Sequence, residues 1–309
     1  VTGRERLILV NLLALLGAGW GITLPFSKIA VSTGYGHFGL IFWQLVIGAV
    51  LMAFVMWIRS ETLPRNASAL RIFIIISMIG TIIPNSASYR AVAHLPSGVM
   101  SVLLSLVPMA AFPMALVLGL ERFSPQRFFG LLIGLAGVGL LVLPEASLPD
   151  PAALKWIGLA LVASVFYGFE GNYVARWGIA GMSPMQVMMG ASLIGALLCL
   201  PLAIGSGQFI NPIKPWGAAE WALVASSVVH ILTYAGYVWL VGRAGAVFAV
   251  QVSYLVTGFG VFWAMLLLGE TYSPYFWAAA VLMLLGVFLV QPRRQQPLAP
   301  DAAMKETVR

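Results

Sequence analysis

The chain has 309 residues, 61% of them hydrophobic and 9% charged, with a formal net charge of +7 and a mean hydropathy of +0.96. Soluble domains carry about 25% charged residues, so this composition excludes an ordinary soluble domain and indicates an integral membrane protein. The single cysteine, Cys199, excludes an internal disulfide, and the scattered His37, His94 and His230 form no zinc pattern.

Ten apolar segments reach, or nearly reach, the length of a membrane-crossing helix. They cover approximately 8–31, 37–58, 71–92, 97–119, 127–144, 154–176, 183–204, 217–241, 245–268 and 275–291. The first carries Trp20, Pro25 and Lys28 and has a matching segment later in the chain, so it reads as a span and not as a cleaved signal peptide. The third carries Ser77, Thr81, Asn85, Ser88 and Tyr89, and the eighth Ser226, His230, Tyr234 and Tyr237. Steps of three and four place each set on one helical face. The fourth and ninth add Ser105 and Pro108 against Tyr254 and Thr257. The sixth contains Tyr167 and Glu170, the only acidic residue placed within a span.

An even number of spans puts both termini on one side. If that side is the cytoplasm, Arg4, Arg6, Arg59, Arg65, Arg71, Arg122, Arg127, Arg176, Arg243, Arg293, Arg294, Lys305 and Arg309 lie inside. Only Lys28, Arg90, Lys155 and Lys214 lie outside or at outer helix ends. The positive-inside rule therefore predicts cytoplasmic termini, which also accounts for the basic balance without nucleic acid. Lys28 and Arg90 are placed to snorkel into the headgroups, and residues 293–309 to form a cytoplasmic tail.

The chain repeats itself. At an offset of 149 residues Glu121 meets Glu270, Ser124-Pro125 meets Ser273-Pro274, and Gly137 meets Gly286. The same offset pairs Thr81 with His230 and Asn85 with Tyr234, while Trp20-Gly21 meets Tyr167-Gly168 at an offset of 147. The halves divide as 1–145 and 146–292, with five spans each. An odd number per half forces the second to enter from the opposite side, giving two inverted five-helix repeats in an all-α protein of ten transmembrane helices. Glu121 and Glu270 each precede a Ser-Pro helix start and are expected to accept from its N–H groups, closing a tight turn.

Polar groups avoid lipid, so the marked faces are expected to line one cavity among the first, third, fourth, sixth, eighth and ninth spans. The candidate binding residues are Trp20, Thr81, Asn85, Tyr89, Tyr167, His230, Tyr234, Tyr237 and Tyr254. Ser and Thr in these sets also serve close helix packing. Glu170 could carry a coupling proton, act as a gate, or partner Arg176 structurally. Pro25 and Pro108 remove helical hydrogen bonds and are candidate gating kinks. Aromatic faces mixed with hydroxyl and amide groups suit a small amphipathic solute. The residues offer no nucleophilic triad or metal cluster, so neither an enzyme nor a cofactor is expected, and nothing in the sequence sets an oligomeric state.

The two stretches LVPMAAFPMALVLGLERFSPQRFFGLLIGLAGVGLLVLP and LVTGFGVFWAMLLLGETYSPYFWAAAVLMLLGVFLVQP resemble ten-helix, EamA-type members of the drug/metabolite transporter superfamily. The likeness extends over essentially residues 8–292. NLLALLGAGWGITLPFSKIA further resembles the opening helix of bacterial aromatic amino acid exporters of the YddG type. The resemblance implies an inner-membrane carrier that exports amino acids or related metabolites from a cavity between the halves. The small multidrug exporters of this superfamily use a glutamate in their first helix, and this chain has none there. Mid-depth basic residues suited to a phosphorylated substrate are also missing from the second half. A neutral zwitterion, such as an amino acid with an aromatic or hydrophobic side chain, fits better. Broad export of drugs or other metabolites is the alternative, and a channel is a weaker one.

Overall fold

The computed structural model describes residues 3–142, 154–249 and 251–290, and every regular element among them is helical. In chain order these are α1 (Gly3–Val31), α2 (His37–Ile58), α3 (Ala67–Ile76), α4 (Ile83–His94), α5 (Ser97–Leu104), α6 (Val107–Val117), α7 (Pro125–Val142), α8 (Leu154–Trp177), α9 (Pro184–Gly205), α10 (Ala218–Ala244), α11 (Ala246–Ala249), α12 (Val252–Leu268) and α13 (Pro274–Val290). The junction between the halves, over 143–153, and the whole tail at 293–309 lie outside the described residues.

Eight helical stretches are long and apolar enough to cross a membrane, α3–α4 and α5–α6 each counting as one, and α12 and α13 are shorter apolar helices. At about 1.5 Å per residue, the 17 residues of α13 reach about 26 Å, a shortfall that a bilayer absorbs by local thinning. Leu15, Val117 and Phe288 stand exposed on the outside of the bundle. In lipid these side chains are at home, whereas in water they would be aggregation sites. The protein is thus an all-α integral membrane protein whose ten spans divide into two sets of five.

Local sequence explains where the helices begin and where they break. Asn66 caps α3, its side-chain oxygen accepting from the Ala69 N–H at 2.8 Å. Ser183 and Gln186 form a capping box ahead of Pro184, the first residue of α9. The third span, expected as one regular helix, instead widens to π-winding over Ser77–Ile82, where the Ile83 N–H reaches the Met78 carbonyl. The register shift falls just before Pro84, which has no N–H to offer. The fourth span breaks between α5 and α6 at Ser105–Leu106, one residue before Val107-Pro108 opens the next helix.

Packing sorts the spans into two interlocked groups. Helices α4 and α6 lie against α8, while α10 and α12 lie against α1. These groups are counterparts: the third and fourth spans meet the sixth, as the eighth and ninth meet the first. At the side, α7 and α13 approach almost backbone to backbone. A Cβ on Gly286 would stand 2.7 Å from the Gly130 carbonyl oxygen, and one on Gly137 3.0 Å from the Ala279 carbonyl oxygen. The glycines matched by the repeat therefore hold its two copies together.

Candidate functional site

A cavity of about 520 Å³ lies between the two groups. All six spans expected to line it do so, through residues that include Trp20 on α1, Thr81 and Asn85 on the third span, Pro108 on α6, Tyr167 on α8, His230 on α10 and Thr257 on α12. Tyr89 also reaches it, from one helical turn beyond Asn85. Among the described residues the lining includes no Asp, Glu, Lys or Arg.

One wall is a hydrogen-bonded chain of side chains from three spans. The Tyr167 hydroxyl donates to Asn85 Oδ1 at 2.5 Å. Asn85 Nδ2 donates to Gln44 Oε1 at 3.2 Å, and the Tyr89 hydroxyl donates to the same oxygen at 3.1 Å. Gln44 on α2 lines the cavity and was absent from the sequence-derived set. Its signal was available: it is the one amide in the otherwise apolar 37–58 span, where an unsatisfied polar group is expensive. Without a periodic partner on its own helix, it did not form a stripe.

Another part of the lining is aromatic. Trp20 sits 6.2 Å from the His230 ring and 5.3 Å from the Tyr237 ring, centroid to centroid. Its indole N–H is buried without a hydrogen-bond partner, as is the Ser88 hydroxyl. Several hydroxyls are instead satisfied locally. Thr23 donates to the Trp20 carbonyl at 2.6 Å, Ser27 to Thr23 at 2.8 Å, and Ser105 to Val102 at 2.6 Å. Those three contribute small polar surface to the cavity while occupying their protons on their own helices.

The remaining candidates lie elsewhere. Tyr237 backs Trp20 from behind, and Tyr234 shares its helical stripe, but neither lines the cavity. The stripe that starts at Ser226 and His230 runs past the cavity along α1. Tyr254 packs on the main core, its hydroxyl buried without a partner. Pro25 is buried beside Leu24, outside the lining. The Glu170 carboxyl packs on Gly80 in the π-wound segment, so Gly80 faces the cavity and Glu170 stands behind it. Among the described residues the ion pairs are Arg59–Glu61, Arg127–Glu121 and Arg243–Glu5, and Arg176 is not joined to Glu170.

Two charged groups bind helix ends. Lys28 caps the end of α4, its Nζ donating to the carbonyls of Val92, Ala93 and Leu95 at 2.8, 3.2 and 3.0 Å. Glu270 does not close its own turn but accepts from the Ser97 and Gly98 N–H groups, at 2.7 and 3.1 Å. Its repeat counterpart Glu121 stays local, bonded to Arg127 at 2.8 Å.

Comparison with known proteins agrees with this architecture. Among curated proteins none matches the chain. One solved crystal structure superposes with a TM-score of 0.60, covering 89% of this chain and 97% of its own at 21% identity, a likeness that carries the fold alone. The model of the EamA-like transporter family matches twice, over residues 8–143 and 154–291. Those two matches are the two sets of five spans, and the chain belongs to the EamA-like transporter family.

Proposed function

We propose that this transporter exports small neutral amino acids with aromatic or hydrophobic side chains, moving them by alternating access through the central cavity. The observation that carries the reading is the composition of the lining: no fixed charge, one aromatic wall and one amide–hydroxyl wall. A zwitterion brings both charges with it and needs dipoles from its site, whereas an ionic substrate would call for an opposing charge. The partnerless Trp20 N–H supplies a donor for a carboxylate oxygen. The volume falls within the range of about 300–1,000 Å³ usual for small-molecule sites. Two inverted halves supply two equivalent arrangements, one open to each side. The excess of Lys and Arg in alternate loops supports cytoplasmic termini in a bacterial inner membrane.

The test is counterflow in proteoliposomes preloaded with unlabelled phenylalanine, methionine or threonine, with and without a pH gradient. Saturable accumulation of the labelled amino acid is expected. No accumulation of any of them by monodisperse protein would refute the amino acid reading. Competition by unrelated lipophilic cations would move the assignment to broad drug export.

A further inference from the structure

The turn between the third and fourth spans is gripped from two sides by charged groups that both belong to the opposing group of helices. Lys28, in the last turn of α1, donates to three carbonyls at the end of α4. Glu270, two residues beyond α12, accepts from the first two N–H groups of α5. A cation at a helix C-terminus and an anion at a helix N-terminus each meet the favourable end of the dipole, and charge-assisted bonds are the strong ones. Tyr272 completes the contact, donating to Glu270 Oε2 at 2.5 Å with its hydroxyl against Gly98. The contact joins α1 and α12 to α4 and α5, beside the cavity-lining Ser101.

The repeat assigns this contact a counterpart. At an offset of 149, Glu270 corresponds to Glu121, and Ser97-Gly98 to Ala246-Val247 at the start of α11. Glu121 lies just beyond α6 in the group with α4 and α8, at the other end of the bundle, and it is bonded to Arg127. One copy of the carboxylate therefore grips a helix start across the groups while the other remains within its own half.

We propose that Glu270, with Lys28, is the lock that closes the cavity at the end near Ser97. In the state open at that end Glu270 releases α5, whereas Glu121, bonded to Arg127 within its own half, takes no part in this closure. The proposal rests on the alternating-access part of the functional reading, though not on the identity of the solute.

The test measures accessibility, which needs no substrate. In a Cys199→Ala background, Ser101→Cys reports from the cavity lining just inside the lock, and a membrane-impermeant maleimide is applied from each face in turn. With Glu270→Gln, which keeps shape and removes charge, labelling of the Ser101→Cys reporter from the Glu270 face is expected to rise about tenfold, equivalent to about 1.4 kcal/mol. Glu121→Gln is expected to leave that labelling low, because Glu121 bonds Arg127 and not the start of α5. Gly98→Ala attacks the same contact by displacing Tyr272, and is expected to act in the same direction as Glu270→Gln; it serves if Glu270→Gln does not yield folded protein.

Labelling changed by less than about twofold in folded Glu270→Gln and Gly98→Ala proteins would overturn the lock. So would an equal rise from both faces, or an equal rise with Glu121→Gln. An accessibility shift without amino acid flux would leave the lock standing and sink the substrate assignment. Intact flux with unchanged labelling would do the reverse.

Discussion

Replacing Asn85 by leucine and Tyr167 by phenylalanine, singly and together, tests the polar wall of the cavity. Tyr167→Phe removes one hydrogen bond, the 2.5 Å contact to Asn85 Oδ1. Asn85→Leu removes that bond and also the donation to Gln44 Oε1 at 3.2 Å, while Gln44 keeps its bond from Tyr89. A hydrogen bond contributes about 0.5–1.5 kcal/mol net, and a stranded buried partner raises the cost of a single deletion to about 1–3 kcal/mol. Side-chain bonds within membrane bundles average nearer 0.6 kcal/mol, because the unfolded chain in the membrane also finds partners. The single variants should therefore each lose about 1–2 kcal/mol. The double variant should lose less than their sum by about 0.6–1 kcal/mol, since the shared bond is lost once. Reversible unfolding in mixed micelles, followed by helix content, measures all three differences. Additivity within about 0.3 kcal/mol would refute the bond, and with it the view that this wall is a connected network.

Further outcomes follow from other contacts. Gly286→Ala places a methyl group 2.7 Å from the Gly130 carbonyl oxygen; it should destabilise the bundle by about 1–3 kcal/mol, and unchanged melting would refute the close packing of α7 on α13. Trp20→Ala should raise the KM for aromatic amino acids about tenfold or more through lost aromatic contact, whereas Trp20→Phe should recover most of the loss; identical flux curves would remove Trp20 from the binding surface. The Tyr272 phenol is held above its ordinary pKa, first by burial and then by its hydrogen bond to, and the charge of, Glu270. A raised folded-state pKa makes its stabilising contribution complete below about pH 10 and progressively lost above it. The stability difference between the native protein and Tyr272→Phe should therefore shrink as pH rises through the alkaline range, and a constant difference would contradict the buried contact.

Much of the architecture was legible in the residues. Hydropathy locates a span because the lipid acts on each segment separately, and a glutamate or arginine excluded from hydrocarbon marks a loop wherever the chain later goes. The repeat registered Glu121 on Glu270 and Gly137 on Gly286, and five spans per half then set the inversion. The polar stripes of the third and eighth spans also pointed to the cavity, because their period belongs to a single helix.

Tertiary structure decided what depends on a neighbour from another helix. Gln44 joins the cavity only because Asn85 and Tyr89, 41 and 45 residues away, converge on its oxygen. Tyr234 and Tyr237 share a face with His230, yet neither lines the cavity, and the Tyr237 ring packs on Trp20. Glu170 reads as a coupling or gating carboxylate or a partner for Arg176, and packing sets its carboxyl against Gly80 of the π-wound segment, outside the cavity lining. Glu270, which from the 149-residue repeat reads as a local turn-closer like Glu121, bonds amides 172 and 173 residues away. Periodicity describes the faces of one helix, and a contact between two helices belongs to neither face alone; hence the sequence by itself determined the spans and their inversion, and only the packing of the two halves decided which polar groups meet.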